Sequence, residues 1–331
     1  MSHTTTTQPE VDMVFLWCDG SDPKFIERKI DRMKEARPDI VEENVGDIRY
    51  VQYDELKYAL RSVDLYAPWV RHIFIVTNGQ RPSWLADHPK VSIVDHKEII
   101  PSNLLPTFSS ICIEMYIDRI QGLSEQFIYG NDDMILNRPL EPGDFFTSDG
   151  KPIVWMSKEQ EQKISPHVAS QILNDSRINN WQKTVIRAWD LYRKKSGKPI
   201  PYHSPAHSFD AFTKTLFRKV IENNPELLQA NSEPFRTGNE ISRVIFSYEM
   251  INTFNCKCEF EHKVNFLARL KNRIFPVEML AIVRENIKKI KRDIRVFNPK
   301  TFCCNNLNDE SAVECISYLE DRFPTPAPWE K

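Results

Sequence analysis

Val11-Asp-Met-Val-Phe-Leu-Trp17 followed directly by Cys18-Asp-Gly-Ser-Asp-Pro23 is the stretch on which the fold reading turns. Met13 to Trp17 is a short continuous apolar run, the pattern of a strand buried on both faces in a parallel sheet. Cys18-Asp19-Gly20-Ser21 supplies the turn. Ser21-Asp22-Pro23 reads as a helix start, because Asp accepts free amides at an N-cap and Pro is tolerated in the first turn. That helix is predicted to run to about Arg37-Pro38. Strand, Gly-containing turn and helix N-terminus together aim unsatisfied N–H groups outward, which makes a natural anion site.

The same alternation continues down the chain. Leu56, Leu60 and Val63 share one face of a helix predicted over Asp54 to Tyr66, and Val70 to Val76 is the next strand, closed by the turn Thr77-Asn78-Gly79. Val91 to Val94 makes a third strand with Asp95-His96 just beyond it, and Ile113, Ile117 and Ile120 predict a helix over Phe108 to Ile120. Gln126 to Gly130 is a further apolar run that ends on Asn131-Asp132-Asp133, before Met134-Ile135-Leu136. Strands alternating with helices indicate an open α/β sheet, in which ligands bind outside the carboxyl ends of the strands. Gly20, Asn78, Asp95 and Asp132 all fall at such ends. Adjacent carboxylates there present hard oxygen ligands to a divalent cation and, through it, to a nucleotide-sugar diphosphate.

Four parts are expected: a disordered tail over 1–10, an α/β core over 11–157, a charged helical insertion or cap over 158–200, and a C-terminal helical part over 201–331. Within the last two, helices are predicted around Trp181 to Tyr192, from Phe209 to Asn223 and from Asn239 to Phe254. Glu278 to Val296 reads as one helix, with Met279, Val283, Ile287, Ile290 and Ile294 as its apolar stripe beside Arg284, Lys288, Lys289, Lys291, Arg292 and Arg295. The basic face is either solvated surface or an attractor for an anionic acceptor or membrane.

A formal charge of −2 over 331 residues carries no excess cation for nucleic acid. The seven cysteines form no CxxC pair, a pattern that suits a reducing cytosol. Cys256-Lys-Cys258 with His262 lacks a second ligand pair at metal spacing, so buried thiols are expected. Neither a secretory signal nor a transmembrane stretch is present, and a soluble cytoplasmic protein is expected, with the inner membrane face as a possible docking surface. GxxxxGK[ST] and GxGxxG are absent, against P-loop or dinucleotide chemistry.

Val11 to Pro23 resembles the first conserved region of the Stealth family of hexose-1-phosphate transferases. Arg49 to Phe146 is similar to the second region, through Glu55-Leu56, Leu60-Arg61-Ser62, Ala67 to Arg71, Thr77-Asn78-Gly79, Leu105 to Ser109 and Phe127 to Asp133. His203-Ser-Pro205, Arg236 and Phe246-Ser-Tyr248 resemble the third. Phe302 to Asp309, with Phe323-Pro-Thr-Pro326, resembles the fourth. The resemblance implies a Rossmann-like core related to glycosyltransferase A, with a mixed sheet flanked by helices. It also implies transfer of a sugar-1-phosphate from a UDP-sugar to an acceptor hydroxyl on a carbohydrate or growing polysaccharide, with UMP leaving. Conventional glycosyl transfer releasing UDP is the alternative.

On that resemblance, Asp132 and Asp133, with Asp309, would hold Mg²⁺ or Mn²⁺ against the diphosphate. The donor-site set is Asp12, Trp17, Gly20, Ser21, Asp22, Asn78, Asn131 and His207. The chain carries Asp19 where the family commonly has Asn, and Asp22 serves equally well as a simple helix cap. His203 is the expected general base or hydrogen-bond donor to phosphate, since imidazole titrates near neutral pH, and His207 lies near enough in sequence to exchange roles with it. Arg236 offers a forked, permanently charged phosphate partner, and Asn306 would help complete the site.

Overall fold

The computed structural model of the protein describes residues 9–35, 50–157, 164–261, 279–282 (backbone alone), 287–304 and 307–331. The chain runs β1 (Val11–Leu16), α1 (Pro23–Glu35), α2 (Glu55–Tyr66), β2 (Ile73–Thr77), β3 (Val91–Asp95), α3 (His96–Ile99), α4 (Ser110–Glu114), β4 (Gln126–Asn131), β5 (Met134–Leu136) and β6 (Ile153–Ser157). It continues with α5 (Pro166–Asn174), α6 (Asn180–Ser196), β7 (Ser204–Pro205), β8 (Asp210–Thr213), α7 (Lys214–Asn223), α8 (Glu226–Ala230) and α9 (Val244–Asn252). Then follow β9 (Lys257–Glu261), β10 (Met279–Ile282), α10 (Ile287–Phe297), β11 (Thr301–Cys304) and α11 (Asp309–Arg322).

The main sheet has the order β3-β2-β1-β4-β8. Its first four strands are parallel, and β8 closes the edge antiparallel to β4. Both faces are buried, which accounts for the unbroken apolar runs. Because side chains alternate across a strand, Met13, Phe15, Ile73, Ile75 and Ile128 enter one core while Val14, Phe74, Val76, Phe127 and Tyr129 enter the other. A second sheet, β10-β11-β5, has β11 antiparallel to β5, and a third has the order β7-β6-β9. α6 buries Val185, Ile186, Trp189 and Tyr192 in the same core as β4, so the charged insertion is joined to the sheet by its apolar face.

The C-terminus is clamped onto α2. Arg61 donates to both carboxylate oxygens of Glu330 at 2.7 and 2.6 Å and to the Phe323 carbonyl at 2.6 Å. Trp329 is wholly buried there.

Four predicted helices come out differently. Phe108 to Ile120 is a short α4 followed by a 3₁₀ turn over Ile117–Arg119. Tight bonds such as Met115 N–H to Cys112 O and Tyr116 N–H to Ile113 O wind the segment so that Ile111, Ile113, Met115, Tyr116 and Ile117 are all buried, more than one face of a straight helix carries. Asp210 to Thr213, read as helix, is instead the edge strand, because β4 would otherwise leave its ladder groups unpaired. Asn239 to Phe254 shortens to α9, since the buried Glu240 carboxylate accepts the amides of Thr237 and Gly238 and ties the preceding residues into a turn. The long basic helix divides into β10 and α10, with β10 pairing parallel to β11; Val283 and Arg284 lie outside the described residues, as do His262 and Asn306.

Candidate active site

The β1 turn is built by its own side chains. Asp19 Oδ1 accepts Ser21 N–H at 2.9 Å and its hydroxyl at 2.6 Å, while Gln80 Oε1 accepts Asp19 N–H at 2.9 Å. Gln80 Nε2 donates to the Asp19 carbonyl and to Asp22 Oδ2, both at 2.9 Å. Asp22 also accepts Lys24 N–H at 2.9 Å, and the bond from Gln80, ahead of that amide, holds its carboxyl below the usual range. Asp22 is therefore engaged as a cap. Gly20 is required by space: a Cβ there would lie 2.5 Å from Tyr50 Cβ and carbonyl oxygen. Trp17 is buried, and its backbone N–H donates to the Val76 carbonyl. Arg28 reaches across to the Asn78 carbonyl at 3.2 Å. The Asn78 side-chain oxygen is buried without a protein partner.

Next to this turn stands the end of β4. Leu16 pairs with Asn131, so the strand register brings the Cys18 turn and the Asp132–Asp133 turn together. Cys18 shows the proximity: burial pushes its thiol up to about 12, helped by the negative charge of Asp132. On the other side, β8 runs antiparallel with Tyr129 opposite Asp210. Continuing that register carries His207 toward the same turn. Gly130 makes room for it, since a Cβ there would lie 2.3 Å from the Phe209 ring.

The centre that results contains a thiol. Cys303 Sγ donates to Asp133 Oδ2 at 3.1 Å and lies 3.3 Å from His207 Nε2. The ligand atoms of Asp133, His207 and Cys303 all lie within 4.8 Å of one another. Asp133 Oδ1 is buried and has no hydrogen-bond partner. Burial, with Asp133 and Glu55 nearby, raises the Asp132 carboxyl well above the usual carboxylate range. Asp133 is raised by burial too, against the favourable effect of His207 and of the Cys303 bond. Burial, then the Asp133 charge, raises the Cys303 thiol, so it stays protonated and donates. Glu55, also buried, is pushed up to about 7 by desolvation and by Asp133, although its own and the Tyr53 amides work the other way.

The other expected residues are held by contacts of their own. Asp12 lies at the opposite end of β1, four residues and about 13 Å upstream of the Leu16–Asn131 pair. Its carboxylate is fully buried and spent on Arg71, at 2.9 and 2.5 Å, and on Ser124 N–H at 2.7 Å. Asp12 is thus engaged in an ion pair at the far end of the strand, away from the turn where the donor site is expected. Asp309 accepts the Tyr53 hydroxyl at 2.8 Å, and Tyr53 N–H donates to Glu55 Oε2 at 2.6 Å, so Asp309 connects to the centre through Tyr53 and does not join the converging ligand atoms. Arg236 donates to the Ser110 hydroxyl, beside the stacked rings of Phe235 and Phe108. The His203 backbone exchanges hydrogen bonds with the Tyr248 hydroxyl, 2.9 Å from its N–H and 2.7 Å to its carbonyl, and its ring packs edge-on against Phe260. Asn131 Oδ1 accepts Tyr129 OH at 3.3 Å. Arg243 bridges Glu114 at 2.8 Å and Asp210 at 2.9 Å over the Tyr129 ring, a half-buried support with no local signal in the sequence.

Residues 49–154 match the family model described as Stealth protein CR2, conserved region 2. Exopolysaccharide phosphotransferase cps2G of Lactiplantibacillus plantarum is 30% identical over 97% of this chain and 96% of its own length. The chain belongs to the Stealth family. Exopolysaccharide phosphotransferase CpsY of Mycobacterium leprae is 32% identical over 99% of this chain, which spans 58% of that relative's length. Among solved structures, galactosyltransferase LgtC in complex with donor and acceptor sugar analogues aligns over 96% of this chain and 98% of its own, at 12% identity and a TM-score of 0.42. The Stealth assignment rests on the sequence relatives, and the α/β class on the strand order itself.

Glu55 and Cys303 are the members that residue-type reasoning left without a role. Both lie inside stretches that carry the Stealth resemblance, Glu55-Leu56 and Phe302 to Asp309, which was the signal available. For Cys303 the sequence predicts a buried thiol, which it is. The hard-oxygen set Asp132, Asp133 and Asp309 does not converge, and the donors that do converge are one carboxylate, one imidazole and one thiol, a poor match to Mg²⁺.

Proposed function

We propose that this Stealth protein transfers a sugar-1-phosphate from a UDP-sugar to an acceptor hydroxyl on a carbohydrate or growing polysaccharide, forming a phosphodiester and releasing UMP, in capsule or cell-surface polysaccharide synthesis. The observation that carries the reading is the meeting of the β1 turn and α1 N-terminus with Asp132, Asp133 and His207 at the carboxyl ends of the parallel strands. Phosphoryl transfer asks a protein for charge neutralisation and in-line placement and for little covalent chemistry. A bound divalent ion at Asp133 supplies charge neutralisation on the diphosphate. In this reading the turn after β1, through Gly20 and Ser21, and Asn78 across from it bind donor phosphate and nucleotide, at a helix N-terminus whose dipole favours negative charge although Asp22 already caps the Lys24 amide. Since His207 is engaged with Asp133 and Cys303, His203 takes the acceptor hydroxyl proton, and Arg236 donates to the transferring phosphate.

Residues 11–157 form the donor-binding core in this reading, 158–200 the insertion and 201–331 the part that completes the site. Among the described residues no helix is long and apolar enough to cross a membrane. α10 exposes Lys288, Lys289, Arg292 and Arg295, a face suited to an anionic acceptor or to the inner membrane surface, and a cytoplasmic site of action is part of this proposal. Purified protein incubated with a panel of UDP-sugars, a divalent ion and candidate acceptors should release UMP, separated from UDP by chromatography. Asp132→Asn should abolish the release. UDP as the nucleotide product would replace this reading with conventional glycosyl transfer, and the absence of turnover on every donor would leave only binding.

A further inference from the structure

We infer that Asp133, His207 and Cys303 form a mixed oxygen–nitrogen–sulfur centre that takes a borderline transition ion of the Zn²⁺ or Co²⁺ class, with the Cys303 thiolate as a direct ligand. The inference concerns the same site as the transfer reading and depends on that reading only for the use made of the ion. Three remote segments supply the donors: the β4–β5 turn, the residues preceding β8, and β11. Zinc-to-ligand bonds of about 2.0–2.3 Å in a tetrahedron put neighbouring ligand atoms roughly 3.3–3.7 Å apart. Cys303 Sγ lies 3.1 Å from Asp133 Oδ2 and 3.3 Å from His207 Nε2, two edges within a few tenths of an ångström of those separations, and the ligand atoms of all three residues lie within 4.8 Å of one another.

A second observation points to a ligand. Asp133 Oδ1 is buried and lacks a hydrogen-bond partner, an arrangement that costs free energy unless something else satisfies the oxygen. Thiolate and imidazole favour Zn²⁺ and its neighbours, whereas Mg²⁺ demands an oxygen shell that these three side chains do not provide. Binding expels the thiol proton to solvent and forms the metal–sulfur bond, with no change of oxidation state. Three protein ligands leave a fourth position for an oxygen of the substrate.

The test is a Co²⁺ titration of the full chain after chelator treatment. A thiolate-to-cobalt charge-transfer absorption in the near ultraviolet is expected, saturating at one ion per chain, displaced by Zn²⁺ and unmoved by excess Mg²⁺. Cys303→Ser should lose that band. His207→Gln should weaken Co²⁺ binding at least about tenfold, since even outer-shell changes cost that much. Cys304→Ser, one residue along, should keep the band, and circular dichroism checks that each variant is folded. Absence of the band in the parent protein, or its persistence in folded Cys303→Ser, overturns the proposal; because the parent titration is decisive, a variant that fails to fold does not rescue it. Release of UDP with the cobalt spectrum intact would refute the transfer reading alone, and UMP release supported by Mg²⁺ without the band would refute the metal assignment alone.

Discussion

Gly130→Ala tests the packing that holds the two sides of the site together. The new Cβ would fall 2.3 Å from Phe209 Cε1 and 2.5 Å from Cδ1, more than about 1 Å short of carbon–carbon contact. Phe209 has no room to yield: it is 2% exposed and meets Phe15 edge-on at 6.1 Å between centroids. Overpacking of this kind costs about 1–3 kcal/mol. The position also lies two residues before Asp132 and faces the segment that carries His207, so relieving the clash by separating β4 from the chain before β8 spreads the ligand atoms. Urea unfolding of Gly130→Ala should show that loss with an unchanged slope on denaturant, and Co²⁺ affinity should fall in parallel. In a Phe209→Leu background the same change should cost less than about 0.5 kcal/mol, which gives a coupling energy above about 0.5 kcal/mol in the double-mutant cycle. If Gly130→Ala is as stable as the parent, or its cost survives in Phe209→Leu, the steric account is wrong.

Arg61→Met leaves Glu330 buried without its bidentate partner, the two side chains being 8% and 5% exposed; stability should drop by about 3–5 kcal/mol, and a loss below about 1 kcal/mol in urea unfolding would mean that the C-terminal clamp is incidental. His96 is buried and desolvation pushes its pKa from 6.5 to about 4, against the opposing effect of Asp95. The unfolded chain therefore takes up a proton that the native state refuses, so this contribution is complete above pH 6.5 and is lost as the pH falls toward 4, by up to about 3 kcal/mol. His96→Asn should flatten that part of the pH–stability curve, and an unchanged slope would refute the assignment. Lys288→Glu with Lys289→Glu reverses two exposed charges on α10 while sparing Lys291, whose ammonium is held by Glu314. Acceptor affinity should fall at low salt with donor turnover retained, and equal affinity at low salt would remove α10 from acceptor binding.

The first half of the chain was largely readable because its signals are local. Apolar runs that need no polar alternation announced strands buried on both faces, and Asp22-Pro23 marked the start of α1 within its own few residues. Asp132-Asp133 at the end of such a run pointed to the carboxyl edge as the candidate site, and strand register brings the β1 turn beside it. Where a segment's conformation depends on what it meets, local reading failed. Phe108 to Ile120 has helical spacing yet is buried all round, and Asp210 to Thr213 becomes a strand because β4 offers an unpaired edge.

Sequence by itself determined the α/β class and the family, since these follow from side-chain period, turn residues and motif order along the chain, and it pointed to the carboxyl end of the sheet as the candidate site. Tertiary structure alone decided which side chains meet there. It turned Asp12 toward Arg71 and brought Cys303 to Asp133 across 170 residues of sequence, because strand pairing and sheet order are cooperative properties of the whole chain that no short window encodes.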